Sequence, residues 1–418
     1  MSRLVFKTHP SGIRTTALSA LAEVLVGLLL VTVVGSLPTV ASATEIATGV
    51  MLGPRFKPDR FYMRMGGRWE ATYSHRVYRI KARGRLMILW LPNALFEDEW
   101  LIERDFDPDE NTDRVIASLD VYNAYGVGAI GVSLQGGVPG YRVEVNGINR
   151  NGIANAGKER GSLVSAFEPD GSLKESWLGR LERLLLETDR RGMVVCLAYF
   201  GRGQDEIFES PRAIVAAARN MTDWLVAKDF RNVVIDVAPG WDLEAQNWDH
   251  DSFIPEYIAH VLEDVRERFN DAAFALPIGA SSGGNMVYPA SLAQLCDVIL
   301  VQGNGVSPDQ KRARLRELRS NLRPVWMIED DNGAEPTLAT LSRETASANA
   351  LFTNGAGWGF RPLARAHLFP FDYRPGSTSE LTDEVSPTER DRAYFKAVLE
   401  HIATLVLKKP PHKQKKKR

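Results

Sequence analysis

The sequence predicts a (β/α)8 TIM barrel, an α/β fold of a single domain, with an N-terminal signal segment and a basic C-terminal tail. Three observations carry this. Eight short runs rich in Val, Ile and Leu recur along the chain. They are continuous rather than alternating, as strands of a parallel sheet buried on both faces must be. Helical patterns fall between them, and 418 residues is the length of a barrel plus appendages. A doubly wound sheet is the competing arrangement.

The eight runs are 85–91, 127–134, 193–200, 232–238, 274–280, 298–302, 325–329 and 356–360. Thr112 caps an expected helix to Tyr125, which Gly126 ends. Leu178, Leu181, Leu184 and Leu185 share one face of a helix over 174–191, stopped by Gly192. Ser210-Pro211 is an N-cap followed by Pro at the first helical position. Further helical stretches are 254–270, 308–321 and 336–353. Ser386-Pro387-Thr388-Glu389 is a capping box that opens a last helix to about Leu407. The body reads as 85–407. Residues 44–84 are an extension in which Arg68 to Ile80 form a hairpin under the barrel. Residues 135–166 form a long Gly- and Asn-rich loop after the second strand.

Residues 1–43 have the three regions of an export signal. Arg3, Lys7 and Arg14 precede an apolar run from Val24 to Val34, and Ala41-Ser42-Ala43 offers a cleavage site. The run is short for a membrane span, which takes about 20 residues. An exported periplasmic or extracellular protein is expected. Contact with a membrane is expected only if the segment stays uncleaved as an anchor. Cys196 and Cys296 lie beside apolar strands and read as two buried free thiols.

Hydrophobic residues make up 44% and charged residues 25%, which excludes collagen-like, coiled-coil and disordered classes. The formal net charge of -1 conceals an asymmetry. Residues 1–43 carry +2 and the tail 408–418 carries +7, which leaves -10 on 44–407. An acidic body argues against nucleic acid as the main partner. The tail, with Pro410-Pro411, reads as a disordered, solvated segment.

Active sites of such barrels lie at the C-terminal ends of the strands. In strand order those ends present Asn93, Gln135, then Tyr199, Arg202, Gln204 and Asp205. The later strands present Trp241, Asp242 and Glu244, Ser281 and Ser282, Gln302 and Asn304, then Glu329, Asp330 and Asp331, and Trp358. Amides and carboxylates suit the hydroxyls of a sugar, and indole faces suit its C–H surfaces. A carbohydrate partner is therefore expected, with no cofactor and no metal. Asp249-His250-Asp251 is read as a polar loop, and no HExxH, GxGxxG or Walker A pattern occurs. Glu329 is the sharpest signal, because a carboxylate ends a wholly apolar strand. The plain alternatives are a salt bridge at the rim for Glu329 and core packing for Trp358.

Several segments together resemble bacterial cellulase-like (β/α)8 glycoside hydrolases. They are Ile328-Glu329-Asp330-Asp331, Trp358-Gly359, Tyr125-Gly126-Val127, Val132 to Gly137, Asn304-Gly305 and Arg231 to Ala238. The resemblance covers about 85–405. It implies a glycosidase with catalytic glutamates at the ends of strands four and seven, of which Glu329 matches the nucleophile. The chain departs from the pattern after Ala238. Where the family carries Asn-Glu, with Glu as acid/base, this sequence has Pro239-Gly240. Asp242 or Glu244 then becomes the candidate acid, and Asp236, inside its strand, a weaker one. Retention needs carboxyls roughly 5–5.5 Å apart, and inversion through a water roughly 6.5–9.5 Å. A barrel that binds a glycan without cleaving it is the rival reading. A third is a serine esterase, from Gly279-Ala280-Ser281-Ser282-Gly283 with a downstream Asp and His367.

Overall fold

A computed structural model describes residues 86–407 apart from short stretches at 98–105, 137–141, 146–147, 152–163, 244–247, 249, 251–254, 273, 322, 331–335, 363–365, 367–369 and 383, together with the backbone of five short strands between 49 and 82. The signal segment and the basic tail lie outside the described residues. So does much of the extension that holds the expected Arg68–Ile80 hairpin. Its described parts pair as separate strands. Arg68–Glu70 lies antiparallel to Tyr62–Met65, and Tyr73–Ser74 to Lys81–Ala82.

Eight parallel strands form the barrel. They are β1 (Met87–Trp90), β2 (Ala129–Ser133), β3 (Val194–Ala198), β4 (Val233–Asp236), β5 (Ile278–Gly279), β6 (Ile299–Gln302), β7 (Val325–Glu329) and β8 (Gly357–Phe360). Every strand residue is buried, which is why the runs show no alternation. Seven neighbouring pairs share ladders from β5 round through β1 to β6. The eighth join passes through Ser282, beyond β5. Its N–H donates to Leu300 O at 3.2 Å and its carbonyl accepts from Gln302 N at 3.0 Å. The sheet is a closed barrel rather than an open doubly wound one.

Helices α1 (Pro108–Ala124), α2 (Glu175–Arg190), α3 (Pro211–Ala227), α4 (Pro255–Glu267), α5 (Ala290–Leu295), α6 (Pro308–Arg319), α7 (Leu338–Phe352) and α8 (Pro387–Val406) follow the strands in turn. Ser210, Ser307, Thr337 and Ser386 cap α3, α6, α7 and α8, each accepting the N–H of the third helical residue. Helix α1 starts earlier than Thr112. Asp107 accepts the N–H groups of Asp109 and Glu110, while the Thr112 hydroxyl donates to Ala94 O at 2.8 Å. The short α5 has no sequence signal of its own. Strand β5 is shorter than the apolar run because Pro277 has no N–H to give the ladder. The long loop 135–166 contains an antiparallel hairpin, Arg142–Val145 with Ile148–Asn151.

One large core runs through the barrel and its helical shell. Gly131 lets the Trp90 indole lie on β2, since a Cβ there would sit 2.1 Å from the ring. Cys196 and Cys296 are both free and buried. Among the described residues no helix is long and apolar enough to cross a membrane.

Candidate active site

The end of β7 holds the main carboxylate. Ladder register slips there: Val301 pairs with Met327, but Gln302 pairs with Glu329, so Ile328 is extra. Such a bulge re-aims the side chains that follow it. Gly359 makes room for it, because a Cβ at that glycine would sit 2.0 Å from Ile328 O. Glu329 and Asp330 then go to different partners. Glu329 is 7% exposed and its Oε1 accepts from Arg361 Nη1 at 2.9 Å. Arg361 follows β8 directly, so two strand ends meet in one ion pair.

Asp330 instead enters the helical layer. Lys311 of α6 donates to its two oxygens at 2.7 and 2.8 Å and to Ser347 Oγ of α7 at 2.9 Å. The Trp358 indole N–H donates to Asp330 Oδ2 at 2.9 Å. Trp358 is fully buried, and its ring stacks on Phe360, which meets Tyr394 and Phe395 of α8. Asp330 and Trp358 are thus built into the barrel wall, and neither presents a surface to a ligand.

Beyond β4 the chain turns sharply at Pro239-Gly240. Gly240 has φ +76° and donates its N–H to Ser281 O at 2.8 Å. That left-handed conformation favours glycine. A Cβ at Gly240 would also sit 3.1 Å from Arg202 Cδ and 3.2 Å from its Nε. The place that the sequence resemblance gives to the strand-four glutamate is therefore a glycine turn with the Arg202 side chain over it. Asp242 lies at the end of this turn, part of it open to solvent, while its carboxyl is turned in toward Gly283, with Oδ1 accepting the Gly283 N–H. Desolvation holds its carboxyl above the usual carboxylate value, against the Gly283 hydrogen bond and the Arg202 charge, which act to lower it. Arg202 feels both Glu329 and Asp242, and the neighbouring Arg361 charge as well. Glu329, Arg361, Arg202 and Asp242 therefore form one charged group at the ends of β3, β4, β7 and β8. Arg361 has no counterpart in the sequence reading, which looked for acids, amides and indoles. Its signal was its place immediately after β8.

The remaining expected residues are placed as follows. Gln135 donates to Ser165 Oγ at 3.0 Å and to Gln204 O at 3.3 Å, and accepts the Gly201 N–H at 3.0 Å. Gln204 Oε1 accepts the Val164 N–H at 2.8 Å. Both amides fasten the loop after β2 to the loop after β3. Tyr199 turns into the shell, where its hydroxyl meets Thr222 Oγ1 of α3 at 3.1 Å. Trp241 is buried, with its indole N–H on Ala280 O at 3.3 Å and its ring edge-on to Tyr288. Asn93 is buried, donates to Ala366 O and takes Asn111 on its carbonyl. Asp205 accepts the His250 N–H at 2.8 Å, tying the loop after β3 to His250. Gln302 is nearly buried, and Asn304 is part-exposed in the turn after β6. Glu244, Asp331 and His367 lie outside the described residues.

Ser281 is fully buried, and its N–H donates to Asp236 Oδ1 at 2.8 Å. The turn that resembles a nucleophile elbow is part of the barrel closure, and no helix follows until Ala290. This arrangement does not raise an exposed serine nucleophile. Burial pushes the Asp236 carboxyl up to about 7, against hydrogen bonds from Ser281. Among the described residues no three His, Cys, Asp or Glu are grouped to hold a metal ion.

A (β/α)8 barrel with a carboxylate–guanidinium cluster at its strand ends is the class that fold and site define. No family model matches the chain, and no curated protein does. Among solved structures, the endoglucanase Cel5A from Thermotoga maritima is similar at 12% identity, over 76% of this chain and 96% of that one, with a TM-score of 0.48. The exo-β-1,4-mannosidase Op5Man5 from Opitutaceae bacterium strain TAV5 is similar at 15% identity, over 69% of this chain, with a TM-score of 0.45. A glycoside hydrolase family 5 protein from Bacteroides vulgatus ATCC 8482 is similar at 11% identity, over 84% of this chain and 68% of that one, with a TM-score of 0.47. This chain spans about half the length of the mannosidase, namely 53%.

Proposed function

We propose that this protein is an exported glycoside hydrolase in which Glu329 is the nucleophile and Asp242 supplies the proton to the leaving group. The observation that carries the reading is the pair of carboxylates with unlike environments at one barrel mouth. Glu329 is ion-paired and oriented by Arg361. Asp242 is held toward its protonated form by desolvation. Unlike environments are how two carboxyl groups divide the roles of nucleophile and acid. In the first step Glu329 attacks the anomeric carbon, and the glycosidic oxygen leaves with the proton of Asp242. In the second, a water gives its proton back to Asp242 and displaces Glu329 from the sugar. Export rests on Arg3, Lys7 and Arg14 ahead of the Val24–Val34 run.

The test is release of reducing sugar from a panel of neutral and acidic glycans. Glu329→Gln is expected to remove all turnover while binding persists. Turnover that survives Glu329→Gln would end the assignment of the nucleophile.

A barrel that binds glycans without cleaving them is the second reading. The glycine turn under Arg202, in place of a strand-four glutamate, favours it. Wild-type protein that binds an oligosaccharide and never releases sugar from it would select that reading.

A further inference from the structure

We infer that Arg202 is the receptor for an anionic substituent, a carboxylate or a sulfate, on the carbohydrate that occupies this site. The inference rests on the carbohydrate reading above and names the substrate class. Of the four charged side chains at the mouth, Glu329 and Arg361 are joined to each other at 2.9 Å. Arg202 is exposed, and it makes no hydrogen bond and no ion pair among the described residues. Its guanidinium stem is nonetheless positioned. It packs against the Gly240 turn, with Nε and Cδ 3.2 and 3.1 Å from where a side chain would begin there. A Cβ at that turn would press the arginine stem by a few tenths of an ångström, and the positive φ of Gly240 favours glycine there in any case, so the turn and the arginine's seat fit together.

Charge balance gives the direction. With Asp242 ionised, the two arginines and two carboxylates cancel. When Asp242 holds the proton it must donate, Glu329 is the one ionised carboxylate of these four described side chains, and the four together carry one surplus positive charge. A neutral sugar leaves that charge uncompensated, while an anionic substituent neutralises it. A guanidinium fork also matches the two oxygens of a carboxylate or sulfate. Residues 44–407 carry -10, so the arginine is a local exception rather than part of a basic surface.

The experiment is titration calorimetry of the full chain with matched probes. Oligogalacturonate, oligomannuronate and oligoguluronate are each compared with their methyl esters, and 6-sulfated chondroitin oligosaccharides with their desulfated forms. Wild-type protein should bind at least one anionic probe about 10- to 100-fold more tightly than its neutral counterpart, as expected for hydrogen bonds to a charged group. Arg202→Gln should bring the two to the same affinity, with the melting temperature unchanged. Arg202→Lys should restore part of the preference. Whether the uronates or the sulfated probes show the preference identifies the anion. Equal binding of charged and neutral probes by wild type, or a preference kept in Arg202→Gln, overturns the inference and leaves the carbohydrate reading standing. No binding of any probe, charged or neutral, overturns both.

Discussion

Replacing Lys311 by Met tests whether the wall behind the site is held by one buried ion pair. Lys311 and Asp330 are both fully buried, and the lysine makes three hydrogen bonds of 2.7–2.9 Å to Asp330 and Ser347. Two charges taken from water cost several kcal/mol each, and mutual attraction plus full hydrogen bonding offsets that cost. Lys311→Met leaves Asp330 buried without its countercharge, the Trp358 N–H still donating to it. Such a removal costs about 3–5 kcal/mol. Against a typical domain stability of about 5–15 kcal/mol, that is a large fraction. Asp330→Asn should cost a similar amount, by stranding the lysine. The double variant, Lys311→Met with Asp330→Asn, removes both charges and should recover most of the loss. Urea unfolding at pH 7, followed by tryptophan fluorescence, gives the three free energies and their coupling. Losses below about 1 kcal/mol in both single variants, with no coupling, would refute the view that this pair fastens β7 to α6.

Two further outcomes follow from the carboxyl groups. Asp236 is buried with its carboxyl at about 7, above the usual 3.8, so the folded chain binds that proton more tightly than the unfolded chain. The stabilisation is complete below about pH 4 and is lost as pH rises toward and through 7, by about 4 kcal/mol at most. Asp236→Asn keeps an acceptor for the Ser281 N–H and should flatten this loss in urea unfolding between pH 4 and 8. An unchanged pH slope would remove Asp236 as its source. Asp242, as the acid, must be protonated to act, so its raised value extends activity upward in pH and activity falls as pH passes through it. Asp242→Asn should lower kcat/KM by about 10²–10⁴-fold on alkyl glycosides. The loss should be much smaller on dinitrophenyl glycosides, whose leaving group needs no proton. Equal losses on the two substrates would exclude the acid role.

The barrel was legible because burial on both faces writes itself into unbroken apolar runs, and Ser–Pro and capping-box signals mark helix starts directly. Position along the chain also puts Glu329, Asp242 and Arg202 at strand ends, where the structure has them. Direction was harder to read. The sequence places Glu329 and Asp330 as equals, but successive residues at a strand end face opposite sides, and the register shift at Ile328 fixes which of the two faces the mouth. Trp358 and Tyr199 look like ligand contacts because they are aromatic residues at strand ends. Their directions depend on partners far away in sequence, Asp330 and Thr222. Gln135 and Gln204 were similarly ambiguous, since an amide that ties two loops is the same residue as one that binds a sugar. Arg361 escaped notice because its meaning comes from Glu329, 32 positions earlier.

The join through Ser282 gives the two sides of the mouth unequal rigidity. Strand β5 has two residues, and among the described residues its links toward β6 are the bonds between Ile278 and Asp297 and the single bridge at Ser282. Segments with few ladder bonds open locally at low free energy. The Gly240 turn and Asp242 bond to Ser281 and Gly283, on either side of that seam, so any breathing there reaches Asp242 first. Glu329 sits on β7, which is a five-residue strand paired on both sides, to β6 and to β8. The Asp242 side of the mouth is therefore the compliant jaw and the Glu329 side the firmer one.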